Sequence, residues 1–380
     1  MQVPVKVSLK KGITMDFGIL GAGKVGVTIA AMLASCDFCS RVSLADIRRD
    51  LVPDNLAKLQ FTYLDFNDSA KVAMFAAGKA AVISAAPFFL NQAIAAVCAA
   101  RGVAYFDLTE DVETTAVIRR LSQNAPVSFM PQCGLAPGAI NIIGGSLTRE
   151  LPSVRSLELR VGALPLYASN SMKYYLSWNT AGLINEYCRL SDSLYDGQRI
   201  KTLPLEGLER LTIDGTEYEA FNTSGGVGTL CETFEGKIRD LNYKTIRYPG
   251  HRDLMKFLLK DLNLIDYPKV LTEIFDQEVP MTENDVVIIY VNVLGSNEAG
   301  MMVQRSFVKK IYGGSINGRQ FSAIQLSTAA GMVGILEMFS RGGLQPGFVK
   351  QESVGLQEFL STQWGGRIYA PDESAKQHQL

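Results

Sequence analysis

The segment Gly21-Ala-Gly-Lys-Val-Gly26 constrains this chain more than any other feature. It follows the apolar run Phe17-Gly-Ile-Leu20 directly and opens the helical stretch Val25 to Ala34. In that context each glycine has a physical task. The first permits a tight turn, the second lets backbone approach a pyrophosphate, and the third lets the helix pack closely on the strand. Gly21, Ala22, Gly23, Lys24, Val25 and Gly26 then surround the positive end of a helix, where phosphate binds. Asp46 ends the next predicted strand, Arg41 to Ala45, where an acid meets the ribose 2′-hydroxyl of a dinucleotide. A carboxylate there repels the 2′-phosphate of NADP, so NAD is the expected cofactor. Arg48 and Arg49, just beyond Ile47, keep NADP as an alternative because a guanidinium binds phosphate.

Strands and helices alternate from Asp16 onward. Phe61 to Leu64 is a third strand candidate, and Asp65 after it reads either as a contact to the adenine or as a solvated loop acid. Ala81 to Ala85, Phe89 to Arg101 and Val103 to Phe106 read as strand, helix, strand. Ala85, Ala86 and Pro87 are small or rigid residues at the end of the fourth strand, where ribose and nicotinamide need room. This alternation predicts a doubly wound parallel α/β sheet of the Rossmann kind over residues 14–128. Beyond Pro126 the texture changes. Arg155 to Val161 alternates polar and apolar, Asp285 to Val293 is another strand, and long tyrosine-bearing connections separate them. Residues 129–322 are therefore expected to form an α+β domain with a mixed, largely antiparallel sheet. Ala323 to Phe339 is helical and stops at Arg341-Gly-Gly343. Residues 356–380 read as a tail.

A chain of 380 residues suits two domains. Its 37 basic and 38 acidic side chains leave a net charge of −1, which excludes the basic face that a nucleic-acid binder needs. Six cysteines in so long a chain make no disulfide scaffold, so a cytoplasmic location is expected. Ala80 to Ala100 is uncharged and long enough to span a bilayer, but Pro87, Asn91 and Gln92 interrupt it. Leu33-Ala-Ser-Cys36 resembles a lipoprotein cleavage site, but Lys24 and glycines precede it where export requires an unbroken apolar helix. No membrane association is expected.

Candidate chemistry lies past the glycine motif. Of the two histidines, His378 falls in the polar tail, and His251 follows a Pro-Gly turn near Arg247. A histidine is a natural base near neutral pH. Asp107 and Glu110 follow the fifth strand, at the ligand-binding edge of such a sheet. They are candidates for holding an ammonium group, or Asp107 or Thr109 caps the next helix. Thr223-Ser-Gly-Gly-Val-Gly228 reads as a carboxylate cradle or as a hairpin tip. Cys36 and Cys39 have the spacing of half a zinc site, with no second half, so no metal is expected. Cys133 is a candidate nucleophile of the semialdehyde dehydrogenase type, against the commoner buried thiol.

Several longer stretches carry a resemblance. Gly134-Leu-Ala-Pro-Gly-Ala-Ile-Asn141, Val161-Gly-Ala-Leu-Pro165, Glu219-Ala-Phe-Asn-Thr-Ser-Gly-Gly226 and Tyr243-Lys-Thr-Ile-Arg-Tyr-Pro-Gly-His251 occur in the order seen in the saccharopine dehydrogenase family. Within it the pattern is most similar to the L-lysine 6-dehydrogenases. The segment Asp107-Leu-Thr-Glu-Asp111 departs from that subgroup, which tends to carry glycines and a histidine there. The resemblance implies hydride transfer between a C–N bond and NAD, with NADP as the alternative, on a small amino acid or amine. It also implies a homodimer and a C-terminal helix, residues 323–355, returning to the first domain. On that chemistry His251 is the expected proton acceptor, with Asp107 and Glu110 as its competitors. Arg247 or the Thr223, Ser224 and Gly225 loop grips a carboxylate, with Lys173 and Tyr174 lining the pocket. Saccharopine and carboxynorspermidine dehydrogenases are the alternatives within the fold. A non-catalytic NAD-binding sensor is the alternative from another class.

Overall fold

In the computed structural model, residues 14–54 and 56–371 are described; the leader before them and His378 lie outside the described residues. The first sheet contains β1 (Met15–Leu20), β2 (Cys39–Asp46), β3 (Leu59–Tyr63), β4 (Ala81–Ser84), β5 (Ala104–Asp107) and β6 (Ser128–Met130). These strands lie in the order β6-β5-β4-β1-β2-β3 and all run parallel. The order reverses between β1 and β4, which opens a crevice at the carboxyl ends of those two strands. Helices α1 (Lys24–Ala34), α2 (Ser69–Ala76), α3 (Asn91–Arg101) and α4 (Val112–Ser122) fill the connections. Every residue of β4 and β5 is buried, which is why both read as unbroken apolar runs. The uncharged stretch beginning at Ala80 is a strand, a turn and then α3, not one spanning helix.

Helix α5 (Ala139–Arg149) leads into the second sheet. Its elements are β7 (Ser153–Pro165), α6 (Thr180–Cys188), β8 (Ser191–Tyr195), β9 (Gln198–Thr202), β10 (Glu209–Ile213), β11 (Thr216–Asn222), α7 (Leu230–Phe234), β12 (Asp240–Arg247), α8 (His251–Lys256), α9 (Pro268–Glu278), β13 (Asp285–Ser296) and β14 (Met302–Tyr312). The sheet runs β10-β11-β12-β7-β13-β14, with β8 and β9 joined to β12. Only the β12–β7 pairing is parallel, so the sheet is mixed and largely antiparallel.

A small hairpin, β15 (Gly314–Ile316) and β16 (Arg319–Phe321), delivers the chain to α10 (Ala323–Ser340). Helix α10 is long and apolar enough to cross a membrane, yet 72% of it is buried inside the protein. Its start is fixed twice. Ser322 and Gln325 form a capping box, and Asp285 on β13 accepts hydrogen bonds from the N–H groups of Ala323 (2.6 Å) and Ile324 (3.0 Å). Its flank packs on α1, where Gln325 Nε2 donates to the Lys24 carbonyl at 3.3 Å. The second sheet is thereby tied to the helix that follows the glycine motif. β17 (Gly347–Phe348) then adds to β6, and α11 (Leu356–Leu360) and α12 (Gln363–Tyr369) pack on α10. Residues 356–371 are thus no loose tail: Leu356, Phe359, Trp364 and Tyr369 are apolar anchors buried in the core.

Candidate active site

The glycine motif folds as strand, turn, helix. A side chain at Gly21 would press on the Ala85 carbonyl, and one at Gly26 would overlap the Gly21 carbonyl oxygen. At Gly23 it would meet nothing within 4 Å, so the turn is open only on its outer side. The N-terminus of α1 carries no capping side chain and no acid in its first turn. Its free N–H groups therefore remain available to an anion. Asp46 Oδ2 accepts from the Ala22 N–H at 2.7 Å and Oδ1 from the Arg48 N–H at 3.0 Å, which fixes the acid against the turn. Ile47 and Arg48 are exposed beside it. Asp65 is exposed after β3, held by Asn67. Ala85, Ala86 and Pro87 follow β4, with the Ala85 N–H bonded to Leu20 O at 2.8 Å. These residues fit a dinucleotide laid across the crevice.

At the end of β5 the two acids part company. Asp107 is fully buried and accepts from Tyr105 Oη (2.8 Å) and from the N–H groups of Thr109 (2.9 Å) and Gln132 (3.1 Å). Burial pushes its carboxyl up to about 6, against the pull of those donors. With its oxygens committed, Asp107 braces the loop and is not placed to serve a substrate. The cap of α4 is Asp111, which accepts from Thr114 N–H at 2.7 Å, rather than Asp107 or Thr109. Glu110 lies between them and is only partly enclosed.

His251 is corrected from the proton acceptor expected on sequence. It is 1% exposed, enclosed by Tyr174, Tyr187 and Phe221. Its Nδ1 lies 2.9 Å from the Met172 carbonyl and its Nε2 3.0 Å from Tyr187 Oη. A carbonyl only accepts, so Nδ1 carries the proton and Nε2 accepts from the phenol. Burial, with Arg247 nearby, lowers its pKa to about 3, and the ring stays neutral. Arg247 Nε donates to the same Tyr187 oxygen at 2.9 Å, and its Nη1 donates to Thr245 Oγ1 (3.1 Å) and the Ile246 carbonyl (2.9 Å). Its guanidinium lies 5.1 Å from the Tyr174 ring centroid. Among the described residues Nη2 has no hydrogen-bond partner and Arg247 has no carboxylate ion pair.

The Thr223–Gly228 loop follows β11 and is stitched to the Gly134–Asn141 segment, since Asn141 Nδ2 donates to Val227 O at 2.9 Å. This is a packed turn, not a hairpin tip. Thr223 Oγ1 and Tyr174 Oη are buried without a partner among the described residues. Ser224 N–H is spent on the Glu186 carbonyl at 3.1 Å. Gly225 has φ +99°, and a side chain there would collide with the Glu110 carboxylate. Glu186, on α6, is buried beside that loop, close enough for its charge to act on Glu110. Burial raises Glu186 to about 7, with Arg247 pulling it down, and burial together with Glu186 drives Glu110 well above the usual carboxylate range.

Other candidates fall outside this cluster. Lys173 donates to Pro249 O at 3.2 Å and faces a surface recess with Tyr167, Tyr175 and Tyr248. Cys133 is 1% exposed, donates to Met130 O and accepts from Gln351 Nε2, and burial pushes its thiol far up. That removes the thiolate a nucleophile needs. Cys36 and Cys39 are buried too, with thiols pushed up to about 12 and about 11. Glu186 and Tyr187 were not singled out from sequence. Their one local signal is an adjacent acid and phenol inside the otherwise apolar Thr180–Cys188 helix.

Residues 17–129 match the family model for the saccharopine dehydrogenase NADP binding domain, and residues 134–359 match that for the saccharopine dehydrogenase C-terminal domain. Among solved structures, the chain is similar to apo saccharopine dehydrogenase (L-Glu forming) from Saccharomyces cerevisiae. The TM-score is 0.73 at 14% identity, over 91% of this chain and 95% of that one. It is also similar to the homospermidine synthase of Legionella pneumophila in complex with NAD, with a TM-score of 0.69 at 14% identity over 95% and 91%. At such identities the likeness is one of fold.

Proposed function

The chain belongs to the saccharopine dehydrogenase family of NAD(P)-dependent dehydrogenases, and from that premise we propose that it oxidises the ε-carbon of L-lysine, with NAD preferred. Residues 14–128 hold the cofactor, through Gly21 to Gly26 and Asp46, and residues 129–322 supply the substrate side. The observation that carries the substrate is Arg247. It is buried, makes no direct hydrogen bond or ion pair with a carboxylate among the described residues although Glu186 is near, and leaves Nη2 unused, which suits one carboxylate. Lysine brings one carboxylate, and saccharopine brings three. The unpartnered hydroxyl of Tyr174, whose ring lies beside the guanidinium, can add a hydrogen bond to the same group.

Gly21 to Gly26 and Asp46 would hold the dinucleotide, which would supply the hydride acceptor for the carbon that bears nitrogen. The chain must first free the nitrogen lone pair, because an ammonium of pKa ~10.4 offers none. Of the three acid–base candidates, Glu110 alone is not fully buried. The product imine hydrolyses to an aldehyde, which closes on the α-amine. Six free cysteines, five of them buried, suit the cytoplasm, and we place the enzyme there as a homodimer. Two facing acids also suit an amine with a further cationic group, so carboxynorspermidine is the second substrate reading.

The test is the initial rate of NAD reduction with L-lysine at alkaline pH, with saccharopine and carboxynorspermidine assayed in parallel. Turnover on lysine alone is the expected result. Turnover only on a secondary amine replaces the substrate, and cofactor binding without any turnover leaves a sensor.

A further inference from the structure

Glu110 and Glu186 come from different halves of the molecule, one from the end of β5 and one from α6, and meet at the Thr223–Gly226 loop. Neither carboxylate accepts a hydrogen bond among the described residues. This contrasts with Asp107, whose oxygens are committed. Arg247 on β12 is close enough for its charge to act on Glu186, and the Tyr243 ring on β12 lies against Gly226, beside the Gly225 that abuts the Glu110 carboxylate. Two like charges brought to one largely enclosed place resist ionising together. A single cation between them removes the conflict.

We propose that Glu110 and Glu186 form the subsite for the ammonium group of the substrate, sharing one proton in the free protein and expelling it when the cation docks. The inference rests on the reading above only in taking an amine as substrate. Once docked, R–CH2–NH3+ gives a proton to one carboxylate. An N–H bond breaks, an O–H bond forms, and the products are R–CH2–NH2 and a neutral carboxylic acid. The pair thus recognises the ammonium and deprotonates it in the same place. Arg247 keeps one side fixed and repels a substrate that presents its amine at the wrong end.

Binding calorimetry in buffers of different ionisation enthalpy, with saturating reduced cofactor present to prevent turnover, counts protons released. The probes are L-lysine, cadaverine, which lacks the carboxylate, and L-norleucine, which lacks the ε-amine. Near pH 7 the wild type should release about one proton with lysine and with cadaverine and none with norleucine, as displacement of one shared proton requires. Glu186→Gln and Glu110→Gln should each abolish that release and weaken lysine about 10- to 100-fold, the worth of a charge-assisted contact. Norleucine binding should stay unchanged, which also reports that the variants fold. Lysine binding without proton release overturns the shared proton, and silence with every amine overturns the subsite. Proton-coupled binding of cadaverine beside absent lysine turnover would sink the lysine reading while the subsite stands.

Discussion

Tyr187 Oη lies 3.0 Å from His251 Nε2 and 2.9 Å from Arg247 Nε, so one phenol joins a neutral imidazole to a buried guanidinium. The direction is fixed from the far end, where His251 Nδ1–H donates a hydrogen bond to Met172 O at 2.9 Å. The phenol must then donate to His251, which leaves its lone pairs toward Arg247. The imidazole therefore orients Arg247 and carries no proton to or from substrate.

A pH effect of definite sign follows from that geometry. The His251 pKa, about 3, lies below its ordinary 6.5, so between those values the unfolded chain binds more protons than the folded one. Stability contributed by the neutral ring is present above pH 6.5 and is lost as pH falls toward 3. His251→Gln should lower Tm at pH 7.5, by an amount equivalent to about 1–3 kcal/mol for a broken buried hydrogen bond. The deficit should shrink on acidification. In activity, KM for the amino acid should rise more than kcat falls, without moving the pH profile. A displaced kcat profile would restore His251 as the base.

The glycine turn separates folding from binding. Gly23→Ala places a methyl where nothing lies within 4 Å, so Tm should hold while cofactor affinity drops by at least about tenfold. Gly26→Ala drives a methyl into the Gly21 carbonyl and should cost about 1–3 kcal/mol through overpacking. Thermal scans and cofactor titration read the two effects independently. Equal loss of Tm in both variants would mean that the open side of the turn serves structure and not a ligand.

We propose that cofactor choice turns on Asp46, whose carboxylate is held by the N–H groups of Ala22 and Arg48. Asp46→Ser should remove the contact with the ribose hydroxyls and the repulsion of a 2′-phosphate together, with exposed Arg48 already in place. The ratio of kcat/KM for NADP over NAD should rise by about 10- to 100-fold, the worth of one charged hydrogen bond. An unchanged ratio would place the adenosine end elsewhere.

How much of this was legible in sequence depends on the distance over which each fact is decided. The turn at Gly21 to Gly26 and the acid at Asp46 are local: strand, turn, helix and next strand fix them within one unit. The parallel sheet followed for the same reason, as did helix α10. The sequence points to His251 as an accessible base because a Pro-Gly turn beside an arginine has the composition of a surface loop. Its burial is decided by Tyr187 and Phe221, far along the chain. Asp107 was placed correctly at the sheet edge, but the Gln132 N–H that engages it arrives on β6's far side. Glu186 looks like any solvated helix acid until β12 and the Thr223–Gly226 loop close over it. Apolar residues at helical spacing beyond 356 were overlooked because the polar composition after them dominated that segment.

The last prediction carries the opposite sign to that of His251. Burial raises Glu186 from an ordinary value near 4.5 to about 7, so the folded chain binds more protons than the unfolded one in that interval. The favourable contribution of the neutral carboxyl is complete below pH 4.5 and is lost as pH rises through 7. Glu186→Gln keeps the shape and removes the ionisation. The free variant should therefore match the wild type in Tm near pH 5 and exceed it at pH 8.5, by an equivalent of up to roughly 3 kcal/mol. Saturation with an amine ligand should reverse the order, because only the carboxylate pair gains from a docked cation. Calorimetric scans at the two pH values, with and without L-lysine, provide the measurement. A variant less stable than the wild type at pH 8.5 without ligand would show that Glu186 is ionised and internally paired, and both the shared proton and the amine subsite would fall with it.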